Sequence, residues 1–387
     1  DVYKRQVPSC PWAVPRPRPT LPTAAPQHTM GDLAVRIAEL PLVRVGSALA
    51  VEVAIGAHAA RRRQLRLLFD TGSAHTWGCM EPAFACTRAA APISILYADG
   101  SSARAQLCAV ALAMGERVLR NVPFGAARGC SALGPSLPLA GVFGMSPALG
   151  GMHARIGAHV ALCARARRRC AARGGQEYVL LLGASTCPFG VARAQRLPVL
   201  PSAGGGARAR WRVQLVGVRL EVGSAVGFGA ARAIRGAHSL NETAIIGPLL
   251  RTLLPLPHSD GAHALLDTGA THIFAPHDAL LVAGMHALAA EMRLLVDLRG
   301  DAPGSPTRSY AVPITPRSSV DGGWRAKLAG LAATLAIHPS AERRWRGVEL
   351  EARTQWVLGM PFVDTLAGIG FASDASFLDL FEALPRT

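Results

Sequence analysis

Leu67-Leu68-Phe69-Asp70-Thr71-Gly72-Ser73 is an apolar run that ends in an acid, a hydroxyl and a glycine. The pattern returns at Ala264-Leu265-Leu266-Asp267-Thr268-Gly269-Ala270, 197 positions further on (267 − 70). One copy is no more than a strand running into a turn. Two copies half a chain apart predict a duplicated lobe that brings two carboxylates to one place. Each half then carries an apolar pair, a glycine and a methionine, at Val142-Phe143-Gly144-Met145 and Val357-Leu358-Gly359-Met360. The shared order points to duplication of a whole lobe rather than a short-period repeat.

Two carboxylates in one site cannot both ionise easily, because like charges a few ångströms apart repel. One keeps a proton and can donate it, while the other can take a proton from water. Such a pair can hydrolyse an amide by general acid–base chemistry, with no metal, cofactor or covalent intermediate. It titrates as a unit. The neighbours have roles of their own. Gly72 and Gly269 let each turn come close to its counterpart and expose backbone N–H groups to the acids. Thr71 and Thr268 can hydrogen-bond across the lobe interface. Ser73 can donate to Asp70, whereas Ala270, at the equivalent place, offers Asp267 nothing. The missing donor is expected to favour the protonated form of the second acid.

Bulk properties agree with this reading. The chain of 387 residues is long enough for two lobes, and half of it is hydrophobic. Forty glycines and 28 prolines, with few helical periodicities, favour a turn-rich, mainly β protein. The net charge of +16 comes almost wholly from arginine, Lys4 and Lys327 being the only lysines. The arginine groups Arg61–Arg63, Arg167–Arg169 and Arg343-Arg344 are not interleaved with aromatics, which make up 5% of the chain. No nucleic-acid partner is expected.

Seven of the eight cysteines (Cys79, Cys86, Cys108, Cys130, Cys163, Cys170 and Cys187) lie in the first half after Asp70. The eighth is Cys10, and no Cys-x-x-Cys pair occurs. This reads as a disulfide-stapled lobe in an oxidising compartment rather than a zinc site. Cys79 and Cys86 are near enough for a local bridge. Asn241-Glu242-Thr243 fits a glycosylation acceptor. No apolar run reaches membrane-spanning length, so no stable membrane span is expected. Residues 1–34 read as a disordered or non-native segment, and no signal peptide is visible in a chain that opens at Asp1 and reads as truncated. A secreted or endomembrane, vacuolar-lumen protein is the expectation.

Alternating patterns predict strands over Ala50–Gly56, Gln64–Phe69 and Trp211–Val218, and apolar strands over Leu139–Met145 and Val179–Gly183. Ile93–Tyr97 and Ala105–Val110 flank Asp99-Gly100, a strong hairpin signal. Ala279–Met292 has helical spacing. A Pro- and Gly-rich stretch near 197–207 predicts a boundary, with lobes over 35–195 and 196–387.

Taken together, these motifs resemble the pepsin-type aspartic endopeptidases, and among them the cysteine-rich, plant-type nepenthesin-like branch. The resemblance covers roughly residues 40–380. It is carried by Phe69–Ser73 with Trp77, by Leu266–Thr271, by Tyr97-Ala98-Asp99-Gly100-Ser101-Ser102, and by Gly141–Gly144 and Trp356–Gly359. Pro123-Phe124-Gly125 and Val213–Val218 match the plant branch further. It implies an all-β, bilobal fold with two similar β-barrel-like lobes around a central cleft. It implies that Asp70 and Asp267 are the catalytic dyad, supported by Thr71, Gly72, Ser73, Thr268 and Gly269. Tyr97 and Gly100 would belong to a flap that closes over an extended polypeptide substrate, with Trp77 as the tyrosine's hydrogen-bonding neighbour. A monomer is expected. The competing reading is a catalytically silent relative, a binding or inhibitor protein with an idle dyad.

Overall fold

A computed structural model describes residues 38–56, 63–80, 89–96, 102–127, 139–148, 151–165, 177–189, 191–201, 210–223, 250–253, 263–275, 291–300, 306–314, 335–337 and 356–383. The expected flap residues Tyr97 and Gly100, the glycosylation candidate Asn241, the segment 1–34 and most of the helix expected over 279–292 lie outside the described residues.

The first half contains β1 (Ala38–Val45), β2 (Ala48–Ile55), β3 (Arg63–Asp70), β4 (Thr76–Cys79), β5 (Ala89–Leu96), β6 (Ser102–Met114), β7 (Arg117–Ala127) and β8 (Gly141–Gly144). A five-residue helix α1 (Met152–Ile156) then precedes β9 (Val160–Arg165), β10 (Glu177–Leu182) and β11 (Val191–Pro198). The second half contains β12 (Arg212–Gly223), β13 (Leu250–Leu253), β14 (His263–Leu266), β15 (Ile273–Ala275), β16 (Glu291–Leu298), β17 (Arg308–Ile314), β18 (Leu335–Ile337) and β19 (Trp356–Leu358). The short helix α2 (Met360–Val363), β20 (Gly368–Phe371) and β21 (Phe377–Ala383) follow.

Period-two burial explains the strands with one wet face. In β3, Leu65, Leu67 and Phe69 point inward while Gln64 and Arg66 do not. In β17, Tyr310, Val312 and Ile314 alternate with exposed Ser309, Ala311 and Pro313. The apolar strands β8, β19 and β20 are buried at every residue, as continuous apolar runs between two covered faces should be.

Among the described residues three sheet regions result, two of them continuous through the β1–β2 pairing. In the first lobe β2, β3, β8, β4, β7 and β6 form a ring, closed where β6 returns to β2 at Ala54↔Ala113 and Ile55↔Leu112. Closure leaves no open edge there. In the second lobe the core of the sheet runs β12-β14-β19-β15-β18. Its pairings are antiparallel, parallel, antiparallel and parallel in turn. The path β2-β3-β8-β4-β7 has the same sequence of pairings. The duplication read from two short motifs is therefore a duplication of hydrogen-bond wiring.

The third region is an antiparallel run β11-β21-β20-β9-β10-β1. Here strands from both sides of the expected division at 195 and 196 share one sheet. One face packs Leu40, Leu162, Leu180 and Ile369 into the main core. The other packs Ala161, Val179, Leu181 and Phe381 around a disulfide between Cys163 and Cys187. Cys79 and Cys108 are each disulfide-bonded as well, not to one another. Arg44 of β1 donates to both carboxylate oxygens of Asp364 at 2.9 and 2.7 Å, and the Tyr178 hydroxyl donates to the same carboxylate at 2.8 Å. This network fastens the first strand to the end of α2, 320 residues away.

One expectation needs correction. Helical spacing runs through Met292, but Glu291 and Met292 open strand β16, where Met292 pairs with both Val222 and Ile314. Strand ladders on both sides satisfy the backbone there, and tertiary pairing overrides a local periodicity.

Candidate active site

Asp70 is the last residue of β3 and stands opposite Gly144 in the parallel β3–β8 ladder. Asp267 directly follows β14, whose Leu266 stands opposite Leu358 of β19. Buried Leu67, Phe69, Val142 and Phe143 hold the first ladder in place, with the two phenylalanine rings 6.3 Å apart. Met145 N–H then donates to the Asp70 carbonyl at 2.7 Å, and the Gly144 N–H donates to Thr76 Oγ1 at 3.1 Å. On the other side Asp267 N–H donates to the Leu358 carbonyl at 3.1 Å.

The two threonines lock the loops to each other. Thr71 N–H donates to Thr268 Oγ1 at 3.1 Å, and Thr268 N–H donates to Thr71 Oγ1 at 3.0 Å. Each hydroxyl then donates across the junction, Thr71 to the Leu266 carbonyl at 3.0 Å and Thr268 to the Phe69 carbonyl at 2.9 Å. Both side chains are fully buried. Each of the four bonds contributes on the order of 1 kcal/mol, and removing either hydroxyl would strand buried partners.

Gly72 and Gly269 account for how close the acids come. A Cβ on Gly72 would lie 2.5 Å from the Asp267 carboxyl carbon. A Cβ on Gly269 would lie 2.5 Å from the Asp70 carboxyl carbon. Each glycine is thus the floor on which the opposite acid rests, and no other residue leaves that space.

The donors around the acids are unequal. Asp70 accepts from Gly72 N–H at 2.8 Å and Ser73 N–H at 3.0 Å, both on Oδ1, and from the Ser73 hydroxyl at 2.5 Å on Oδ2. Asp267 accepts from Gly269 N–H at 2.9 Å. Ala270, with no side-chain donor, is buried beside Leu265 and Val357. Burial raises the Asp267 carboxyl well above the usual carboxylate range; the Asp70 charge and a hydrogen bond with Asp70 raise it further. The Gly269 N–H and the charge of Arg210 pull in the opposite direction. Asp70 thus has more donors around it than Asp267, whose carboxyl is held toward its protonated form.

Trp77 is fully buried in β4. It packs in a cluster with Ile95, Ala103, Ala105, Ala127 and Val142. Ile95 and Ala103 belong to the β5–β6 hairpin, whose last described pair is Leu96↔Ser102. Trp77 therefore supports the base of the hairpin that would carry Tyr97. His75 is exposed. His272 is half-buried, with Nδ1 2.8 Å from the Thr271 hydroxyl, and burial holds it below the usual histidine range. Among the described residues no three His, Cys, Asp or Glu side chains are grouped to hold a metal ion.

Trp211 was visible in the sequence only as the start of an alternating strand. Its indole N–H donates to the Met145 carbonyl, 66 residues away, at 2.8 Å. A tryptophan just after a Gly/Pro-rich stretch is the only local signal, and it does not name the partner.

No family model matches the chain, and no curated protein matches it in sequence. Among solved structures, the crystal structure of the aspartic proteinase from Irpex lacteus is similar at a TM-score of 0.55 and 14% identity. The likeness covers 90% of this chain and 97% of that one. At this identity it shows the fold: an all-β, two-lobed, pepsin-like aspartic protease architecture.

Proposed function

We propose that this protein is an aspartic endopeptidase in which Asp70 and Asp267 activate one water between them. The observation that carries the reading is the mirrored packing of each acid on the glycine of the opposite loop, 2.5 Å from where a Cβ would stand. Nothing in a strand-end turn requires two such loops to interlock. The ionised Asp70 takes a proton as the water oxygen bonds to the peptide carbonyl carbon. The protonated Asp267 gives its proton to the carbonyl oxygen. Collapse of the tetrahedral adduct then breaks the C–N bond: the amine nitrogen takes the proton held by Asp70, and one hydroxyl of the adduct gives its proton to Asp267, which restores the dyad. The substrate is an extended polypeptide with apolar side chains beside the scissile bond, covered by the hairpin bearing Tyr97 and Gly100. Asn241 carries the glycan in this reading, and the protein works as a secreted or lumenal monomer. The cysteine-rich first half favours the nepenthesin-like branch. Residues 35–195 and 196–387 are the two lobes, with β20 and β21 of the second reaching back to strands of the first. Among the described residues no helix is long and apolar enough to cross a membrane.

The test is cleavage of an unfolded protein by disulfide-intact material between pH 3 and 6, with a statine-type transition-state mimic as inhibitor. Mimic-sensitive cleavage supports the reading. Tight binding of the mimic with no hydrolysis would mean an idle dyad and a binding or inhibitor protein instead.

A second expected result concerns Ala270. An Ala270→Thr variant places a hydroxyl where Ser73 stands beside Asp70. That donor favours ionised Asp267 and lowers the upper apparent pKa of the dyad. The alkaline limb of the kcat profile should move to lower pH relative to the parent. Superimposable profiles would show that the missing donor does not govern proton sharing.

A further inference from the structure

Trp211 touches the supports of both acids. Its indole N–H donates to the Met145 carbonyl at 2.8 Å, and the Met145 N–H donates to the Asp70 carbonyl at 2.7 Å. Its own carbonyl accepts the Leu266 N–H at 2.9 Å, and Leu266 immediately precedes Asp267. The Leu266 carbonyl in turn accepts the Thr71 hydroxyl at 3.0 Å. One residue therefore closes a loop of hydrogen bonds that runs from the backbone of the first acid to the backbone of the second. Trp211, Met145 and Leu266 are all buried. The ring is held edge-on by His153 at 4.8 Å and tilted against Phe371 at 5.0 Å. His153 lies on α1 of the first half and Phe371 on β20, so three separate parts of the chain fix one indole.

A buried indole needs an acceptor, but any nearby carbonyl would satisfy that need. The acceptor here is on the residue that holds Asp70. We propose that Trp211 is a positioning residue for the dyad, helping to set the separation of Asp70 and Asp267 together with the threonine bonds between the two loops. The proposal rests on the hydrolase reading above. Two carboxylates share one proton only over a narrow range of separation, so a small displacement changes proton sharing and the geometry at the water. Trp211 is fully buried and offers no surface to a substrate, so KM need not change.

Trp211→Phe tests this. Phenylalanine retains an aromatic ring for His153 and Phe371 and leaves the main-chain bond to Leu266 in place. It removes the indole N–H together with part of the ring, so the Met145 carbonyl loses that donor and a small cavity opens in the core. The expected result is a fall in kcat of about tenfold, the equivalent of ~1.4 kcal/mol, with KM within about twofold of the parent. The alkaline limb of the kcat profile should also move. A variant whose kcat and pH profile match the parent's, whatever its Tm, would show that Trp211 is only a core residue and overturn the proposal. Because the parent is assayed in parallel, the two ideas fail separately. An inactive parent defeats the hydrolase reading, whereas an active parent with an equally active variant defeats the positioning role alone. Trp211→Leu, which removes the whole ring and with it both aromatic contacts, should lower Tm further than Trp211→Phe does.

Discussion

Asp267→Asn is expected to lower turnover of an unfolded protein by about 10³-fold or more, the upper part of the range for losing a general acid–base group, while raising the stability of the folded protein at neutral pH. The two effects have one cause. Asp267 is buried against Asp70, and both burial and the neighbouring charge raise its carboxyl well above the usual range. A carboxyl whose folded pKa is raised binds more protons folded than unfolded. Its contribution is fully present below the unfolded pKa, about 4 for an aspartate, and is lost as pH rises through the folded pKa. Above that window the parent holds a carboxylate in a place that opposes it. The asparagine amide carries no charge, and its oxygen can still accept the Gly269 N–H. Tm at pH 7 should therefore rise as activity vanishes. Asp70→Asn should abolish activity equally. Retention of more than about a hundredth of parental turnover by either variant, a smaller loss than removing a general acid–base group causes, would refute the mechanism.

His153→Asn is expected to flatten the acid side of the stability profile. His153 lies on α1, almost wholly buried and edge-on to Trp211. Burial lowers it from 6.5 to about 4 against a raising hydrogen bond with Ala372; His159 lowers it further and Asp374 raises it. Here the sign is the reverse of that for Asp267. Between pH 6.5 and about 4 the unfolded chain takes up a proton that the folded protein refuses. Stability is fully present above the upper value, falls through this window and levels off below it. The difference amounts to roughly 3 kcal/mol at ~1.4 kcal/mol per pKa unit. The Asn side chain can still donate to the Ala372 carbonyl but takes up no proton. The variant should lose some stability at pH 7 through imperfect packing, then approach or pass the parent at pH 4. Denaturant midpoints at the two pH values check this. Equal differences at both would show that His153 does not set the acid limit. The result bears on function because a dyad of this kind needs one proton, and this buried histidine weakens the scaffold in the same acid range.

Much of the site was legible because it rests on local chemistry. Acid, threonine and glycine are adjacent in sequence, and their roles follow from the side chains they carry. The Ser73/Ala270 difference is one residue and could be read directly. Trp77 could be placed beside the Asp70 motif, but its packing under the β5–β6 hairpin could not, because Ile95 and Ala103 reach it only through strand pairing. The strand at Met292 was hidden by a helical periodicity that two neighbouring strands override. The return of β20 and β21 to strands of the first half was hidden because nothing in Gly368–Phe371 names β9 as its partner.

The duplicated acid loops and the inequality of their donors follow from the chain alone, since both are properties of neighbouring residues. How the two loops meet follows from the packed sheets. The cross-lobe threonine bonds span 197 residues, the Arg44–Asp364 pair spans 320, and the Trp211 bond to Met145 spans 66. Hydrogen-bond partners at such separations are chosen by the packing of sheets, and that packing depends on every apolar face at once rather than on any one stretch of chain.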